Sequence, residues 1–105
     1  MAKNTIMLVC AAGMSTSLLV SKMQKSAEAR DLDADIFAVS ASEADAQLKD
    51  KDIDIIMLGP QVRYMKGQFE KKVDGTDIAV EVIDMRDYGM VNGEKVLDTA
   101  LDIIN

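Results

Sequence analysis

Residues 5–17 read TIMLVCAAGMSTS, an apolar run that ends at Cys10 and is followed by a loop of small and hydroxyl side chains. The nearly continuous apolar run over residues 5–9 is typical of a parallel strand buried on both faces. From about residue 16 to residue 29 the apolar side chains recur at helical spacing. The stretch therefore predicts a strand, a short loop and a helix, with the thiol where the strand ends.

The same alternation of strand and helix continues to the end of the chain, which favours a parallel sheet with helices on both faces. The sequence predicts an α/β fold with a single four-stranded parallel sheet, similar to low-molecular-weight tyrosine phosphatases and flavodoxin-like folds. Ligands of such sheets bind at the carboxyl ends of the strands. Further strands are predicted at 35–39, 53–58 and 78–83. Further helices are predicted at 42–50, with Ser42 as N-cap, at 61–72 and at 94–104, and a loop is predicted at 84–93.

Composition limits the classes of function. The 105 residues suffice for one domain, predicted here to span 1–105, and the single Cys excludes an intrachain disulfide. With one Cys and no His, an ordinary zinc or haem site is excluded, and we expect no metal and no cofactor. A net charge of −6 argues against nucleic acid and against anionic lipid. Without a signal peptide or a span of bilayer length, the expected location is cytoplasmic.

The loop after the first strand has the residues of an anion-binding nest. Gly13 permits an unusual backbone angle, and Ser15, Thr16 and Ser17 lead into the N-terminus of the predicted helix. Successive backbone N–H groups of such a loop can point at one phosphate, supported by the helix dipole. The same field would favour the thiolate form of Cys10. A lone Cys beside a strand is usually a small buried side chain, but core packing does not require Gly-x-Ser-Thr-Ser after it.

The loop resembles the phosphate loop of low-molecular-weight tyrosine phosphatases, in which a thiol is followed after five residues by an arginine. That arginine clamps the phosphoryl oxygens. Here the position is occupied by Thr16. Without the cation, and with no evident general acid, water should attack a phosphocysteine slowly, which argues for a carrier rather than a phosphatase.

The chain also resembles, over nearly its full length, the IIB component of the bacterial phosphoenolpyruvate-dependent sugar phosphotransferase system, in the lactose, cellobiose and diacetylchitobiose branch. The matching stretches are CAAGMSTSLLVSKM at 10–23, LGPQ at 58–61 with YM at 64–65, and VEVID at 80–84 with YG at 88–89. The resemblance implies a phosphocysteine at Cys10, a phosphohistidine on the IIA partner as donor, and a sugar bound in the membrane transporter IIC as acceptor. The absence of His from this chain fits that division.

For the phosphoryl group we expect backbone donors from the residues that follow Cys10, with the hydroxyls of the last three as supplements. Gly13 would let the backbone approach the phosphate, and Met14 either joins an apolar docking patch or anchors the loop. The predicted phosphate-binding residues are Ala11, Ala12, Gly13, Met14, Ser15, Thr16 and Ser17.

Two residues outside the loop are candidates for support or docking. Gln61 either hydrogen-bonds the phosphate loop or belongs to a simple strand-to-helix turn. Tyr64 either lines a docking surface or covers the core. Asp87 follows the pattern of the phosphatase acid loop, but that loop's proline is missing, and we expect no catalytic role for it.

The remaining charged residues have an alternative interpretation as ordinary solvated surface. Arg63 and Arg86 either steer a phosphorylated partner or are simply solvated, and the acidic stretch 45–54 is expected to be a solvated face.

Competing functions remain on the same fold. Thr16 counts against a phosphatase, the lack of a second Cys counts against an arsenate-reductase-like enzyme, and four aromatic residues are few for a flavin-binding electron carrier. A regulatory module that senses phosphorylation would use Cys10 in the same way. We expect a monomer. We also expect a free-standing chain, because it starts at Met1 and has a complete fourth strand-and-helix unit. The sequence does not indicate which sugar is phosphorylated, because IIC selects it.

Overall fold

The structure is a computed structural model that describes residues 4–10 and 16–104. The described residues form one sheet of four strands, and all three strand pairs are parallel, as predicted. The strands are β1 at Asn4–Cys10, β2 at Ala34–Ser40, β3 at Ile55–Leu58 and β4 at Ala79–Val82.

Helices connect the strands and cover both faces of the sheet. Short 3-10 segments at Ala41–Glu43 and Pro60–Met65 lead into two of them. Within the described part of the chain no helix is long and apolar enough to cross a membrane. The helices are α1 at Thr16–Ala29, α2 at Ala44–Asp50, α3 at Lys66–Lys72, α4 at Met85–Gly89 and α5 at Gly93–Ile104.

The strand order is β2-β1-β3-β4, so the first strand lies inside the sheet. In register, Val9 of β1 lies opposite Val39 of β2 and Leu58 of β3. Because β1 is paired on both edges and covered on both faces, its apolar run is fully buried. This is the physical reason why residues 5–9 show no polar alternation.

Two apolar layers lie on opposite faces of the sheet. Alternate side chains of a strand point to opposite faces of the sheet. Ile6 and Leu8 therefore lie in the layer formed with α1 and α5, and Met7 and Val9 lie in the layer formed with α2 and α3. Phe69 of α3 is fully buried in the second layer. The prediction of helices on both faces is therefore confirmed.

The start of the second helical segment differs from the prediction of Ser42 as N-cap. Ser40 precedes the 3-10 segment, and the carboxylate of Glu43 accepts its backbone N–H at 3.2 Å and its hydroxyl at 2.9 Å. These hydrogen bonds, the backbone one first, lower the pKa of Glu43. Ser42 was the wrong choice because β2 runs on to Ser40, and the reciprocal pair Ser40–Glu43 forms immediately after it.

Two further boundaries were predicted wrongly. The segment 84–93 is not all loop, because Asp84 accepts the backbone N–H groups of Arg86 at 2.8 Å and Asp87 at 3.3 Å and so caps α4. The helix predicted over 61–72 begins as a 3-10 segment with a kink at Val62, and only Lys66–Lys72 is α-helical.

The acidic stretch 45–54 is only partly a solvated face. Asp45 is exposed and pairs with Lys72 at 2.9 Å. Asp54, at the far end, accepts the backbone N–H of Thr5 at 2.8 Å, and Ile53 beside it is buried. Asp54 thus contributes to the pairing of β1 and β3 rather than only to the surface charge.

Candidate functional site

The chain order changes direction between β1 and β3. From β1 the chain passes to β2 on one side, and it then crosses to β3 on the other side. The loops that leave the carboxyl ends of two such strands diverge and leave a crevice, which is where open α/β sheets bind ligands. Cys10 is the last residue of β1, at this point of the sheet.

The Cys10 side chain is almost covered, with 3% of its surface exposed. Its Sγ atom lies 3.2 Å from Oγ1 of Thr16, close enough for a hydrogen bond in which either atom could be the donor. The thiol also points to the carbonyl oxygen of Val39 in the neighbouring strand, at 3.9 Å. Strand β1 and the first residue of α1 thus hold the sulfur between them.

Thr16 and Ser17 are the predicted loop residues that the structure describes. Thr16 is the first residue of α1 and is fully buried, and Ser17 follows it with an exposed side chain. The other predicted phosphate-binding residues, Ala11, Ala12, Gly13, Met14 and Ser15, lie outside the described residues. The two that are described lie at the start of a 14-residue helix whose N-terminus faces the thiol's end of the sheet.

Gly59 extends the pairing of β3 with β1 towards Cys10, because its backbone N–H donates to the carbonyl of Val9 at 2.8 Å. A Cβ atom at Gly59 would lie 3.4 Å from Oε1 of Gln61, 3.5 Å from that carbonyl oxygen and 3.7 Å from Cε1 of Tyr88. Gln61 therefore lies folded back over Gly59, next to the strand that ends in Cys10. The structure brings this predicted residue to the same edge as the thiol.

A cleft of 720 Å³ begins at Pro60, directly after Gly59, and Gln61 forms part of its lining. Tyr64, with 74% of its surface exposed, and Met85, with 63%, form part of its wall, and Tyr88 forms another part. Of the two interpretations of Tyr64, covering of the core is wrong, because the side chain is largely in solvent. The lining residues are Pro60, Gln61, Arg63, Tyr64, Met85, Tyr88 and Gly89.

The remaining charged candidates lie around this cleft. Arg63 lines it and Arg86 lies on α4, both with exposed side chains. Asp87 is half-buried on α4, while the cap of that helix is Asp84.

Sequence reasoning missed the proximity of Gly59 and Tyr88. The signal for Gly59 was present, since a glycine directly after a buried strand often marks a close approach to a ligand or to another chain segment. The position of Tyr88 depends on α4, a five-residue helix without an apolar period of its own. Its capping residue, Asp84, was the available indication.

Residues 5–99 match the family model described as "PTS system, Lactose/Cellobiose specific IIB subunit". The chain belongs to this family. As a member, it is a IIB component of the sugar phosphotransferase system, and the resemblance drawn from the three matching stretches of sequence is confirmed.

Curated relatives match along the full chain. The galactose-specific EIIB component of Lactococcus lactis subsp. cremoris (strain MG1363) and the cellobiose-specific EIIB component of Lactococcus lactis subsp. lactis (strain IL1403) are each 48% identical over 108 residues, covering 100% of both chains. The oligo-beta-mannoside-specific EIIB component of Bacillus subtilis (strain 168) is 40% identical and covers 94% of both chains.

Solved structures agree with the fold. The cellobiose-specific phosphotransferase IIB component from Borrelia burgdorferi superposes with a TM-score of 0.79 at 36% identity, covering 99% of this chain and 94% of that one. The lactose-specific IIB component domain from Streptococcus pneumoniae gives a TM-score of 0.85 at 16% identity, covering 99% and 100%, and so shows the shared fold. The predicted similarity to the flavodoxin and phosphatase type of sheet is confirmed.

Proposed function

We propose that the chain is a protein-cysteine phosphotransferase, a single carrier domain over residues 1–105 in which Cys10 holds the phosphoryl group. The observation that carries the proposal is the location of Cys10: it ends the inner strand at the switch in strand order, with its sulfur 3.2 Å from the hydroxyl at the start of α1. Ligands of open parallel sheets bind at that place.

In the first step the donor is a phosphohistidine on the IIA partner. The Cys10 thiolate attacks phosphorus, an S–P bond forms, and the P–N bond breaks with its electron pair left on the imidazole of the donor. The proton given up by the thiol is balanced by protonation of that imidazole. Catalysis of such a transfer consists mostly of positioning and of stabilising charge on the phosphoryl oxygens.

In the second step a sugar hydroxyl in the membrane component IIC attacks phosphorus. The O–P bond forms, the S–P bond breaks, the thiolate of Cys10 is restored, and the hydroxyl proton passes to a base in the acceptor complex. A hydrogen bond from Oγ1 of Thr16 would stabilise the departing thiolate, and the 3.2 Å separation supports that role.

The predicted phosphate cradle is the stretch from Ala11 to Ser17, which would supply backbone N–H groups to the three phosphoryl oxygens. A hydroxyl residue at position 16, where phosphatases of similar loop spacing carry arginine, supports a long-lived phosphocysteine. Thr16 carries no charge, so it cannot clamp the phosphoryl oxygens and stabilise the attack of water as that arginine would.

The acceptor is proposed to be a β-glucoside or disaccharide such as cellobiose, chitobiose or lactose. Two relatives of the same 48% identity are named for galactose and for cellobiose, which supports selection of the sugar by IIC rather than by this chain. We propose a cytoplasmic monomer that meets its donor and its acceptor complex in turn, without a cofactor.

The test is phosphorylation by phosphoenolpyruvate, the upstream carriers and IIA, followed by intact mass. Wild type should gain one phosphate-sized mass, and Cys10→Ser should not. A matched control moves the thiol by one strand: Ser40 lies opposite Cys10 in the register of β1 and β2, so Cys10→Ser with Ser40→Cys keeps a thiol at the same edge of the sheet.

The double variant should also remain unphosphorylated, because its sulfur lies away from the start of α1. The adduct of wild type should survive in buffer until IIC and sugar are added and should then disappear. A folded wild-type protein that takes up no phosphate, or an adduct retained in Cys10→Ser, would show that Cys10 is not the carrier.

A further inference from the structure

The side chains of Cys10 and of the Gly59 region lie on the same face of the sheet. Along β1, Ile6 and Leu8 point to the layer that contains α1, and Cys10 continues that alternation. Along β3, Ile55 and Met57 point to the same layer, and Gly59 is the next residue in that alternation.

The two strand ends are also adjacent. Val9 lies opposite Leu58, so the next residues along the two strands are Cys10 and Gly59, and neighbouring strands are about 4.8 Å apart. The hydrogen bond from the Gly59 N–H to the carbonyl of Val9 shows that the pairing persists to this point.

Gln61 borders the space that a side chain at position 59 would take. Its Oε1 lies 3.4 Å from where a Cβ of Gly59 would be, and Cε1 of Tyr88 lies 3.7 Å from the same point. A carboxamide has an acceptor at one end and two N–H donors at the other, and a half-turn about its last bond exchanges them. Gln61 can therefore turn either its acceptor or its donors towards Gly59, the residue next to Cys10 on the neighbouring strand, without any change of backbone.

We infer that Gln61 donates its side-chain amide to the phosphoryl group carried by Cys10. The inference rests on the proposed phosphorylation of Cys10. The start of α1 would supply backbone donors on one side of the thiol, and Gln61 would supply a donor on the side of β3. Gly59 has no side chain and so leaves the space between Gln61 and the thiol open. The ring of Tyr88 borders the same space, with Cε1 3.7 Å from the Cβ position of Gly59.

The experiment compares Gln61→Ala and Gln61→Glu with wild type, by the first-order rate of phosphorylation at saturating phosphorylated IIA. Loss of a hydrogen bond to a charged group should lower this rate about tenfold in Gln61→Ala. Gln61→Glu keeps the shape but replaces donors by a negative charge, so its rate should fall further, about a hundredfold. Gln68→Ala and Gln68→Glu, on the exposed surface of α3, are the matched controls and should retain the wild-type rate.

The order wild type, Gln61→Ala, Gln61→Glu from fast to slow would support the inference. Three results would overturn it. The first is a rate within twofold of wild type in both Gln61 variants. The second is a normal rate in Gln61→Glu with a slow rate in Gln61→Ala, which would mean that Gln61 acts by packing alone, and the third is a change only in the IIA concentration for half-saturation, which would mean that Gln61 acts in docking. A wild-type protein that takes up no phosphate at all would instead refute the proposed function.

Discussion

Gly93 is a residue at which two helices, α5 and α1, approach each other closely. A Cβ atom there would lie 2.6 Å from Cβ of Lys22 and 2.7 Å from both the carbonyl carbon of Lys22 and the backbone nitrogen of Met23. Two of these atoms belong to the backbone of α1, which cannot turn away as a side chain can. The absence of a side chain at position 93 therefore sets how closely the start of α5 packs against α1.

Gly93→Ala should lower the free energy of unfolding by about 2 kcal/mol, because overpacking forces the backbone of one helix to shift. Chemical denaturation followed by far-UV circular dichroism measures the change. Gly67→Ala is the matched control: Gly67 is exposed in α3, and a Cβ there meets nothing within 4 Å. It should raise stability by about 0.5–1 kcal/mol, since alanine restricts the unfolded chain. Equal effects of the two substitutions would contradict the close packing at Gly93.

At this scale the sequence indicated the identity of the thiol but not its neighbours. Cys10 could be singled out because the loop after it has an unusual composition. The sequence placed Thr16 in the loop that follows Cys10, but it could not give the distance between the two side chains. That distance, 3.2 Å, depends on the packing of α1 against the sheet. The proximity of Tyr88 to Gly59 and Gln61 joins two separate segments, and no local pattern encodes it.

A left-handed residue, Asp31, follows the end of helix α1. Asp31 has φ of 57°, its N–H donates to the carbonyl of Glu28 at 3.0 Å, and the N–H of Leu32 donates to that of Ala27 at 2.8 Å. This is the arrangement in which glycine is preferred after a helix, because a Cβ is strained there. A carboxylate at the negative end of the helix dipole is unfavourable as well.

Asp31→Gly should therefore raise the free energy of unfolding by about 1 kcal/mol, by relief of strain at the positive φ and removal of the charge. Asp31→Asn, which removes the charge but keeps a Cβ, should give a smaller gain. Thermal and urea denaturation of the three proteins would measure the difference. A destabilised Asp31→Gly would mean that the carboxylate has a favourable partner in the folded protein.

The elements that the sequence predicted well are the long ones with a strong pattern. Helix α1 was predicted at its observed bounds, and α5 and the strands to within two residues, because their periods follow directly from burial. The short α4 was missed, because five residues give too little pattern for a helical period, and its stability comes from the cap by Asp84 and from packing of Tyr88 against the first apolar layer.

The whole molecule consists of two apolar layers separated by one sheet. Val96 of α5 is buried in the layer of α1, and Val73, directly after α3, is buried in the other. Each layer buries one face of β1 and β3, so neither is stable without the sheet. The protein should unfold as one cooperative unit, as small single domains usually do.

Val96→Ala and Val73→Ala should each lower the free energy of unfolding by about 2 kcal/mol, the loss of two buried carbon groups at about 0.8 kcal/mol each plus the cavity left behind. Because the sheet separates the two sites, the double variant should show the sum to within about 0.5 kcal/mol. Urea denaturation of the four proteins measures it. A larger deviation from the sum would mean that the layers are coupled through the sheet.

The sequence by itself determined the class of fold, the chain order of the four strands and of the helices other than α4, the thiol at the end of the first strand and the family. These features follow from local periods and from a contiguous motif, and a linear pattern carries both. Only the tertiary structure decided that Gln61 lies over Gly59 beside Cys10, that Tyr88 closes the same edge, and that α5 requires Gly93 to approach α1. Each of these depends on the distance between segments far apart in the chain, and that distance is set by how the two apolar layers pack on the sheet.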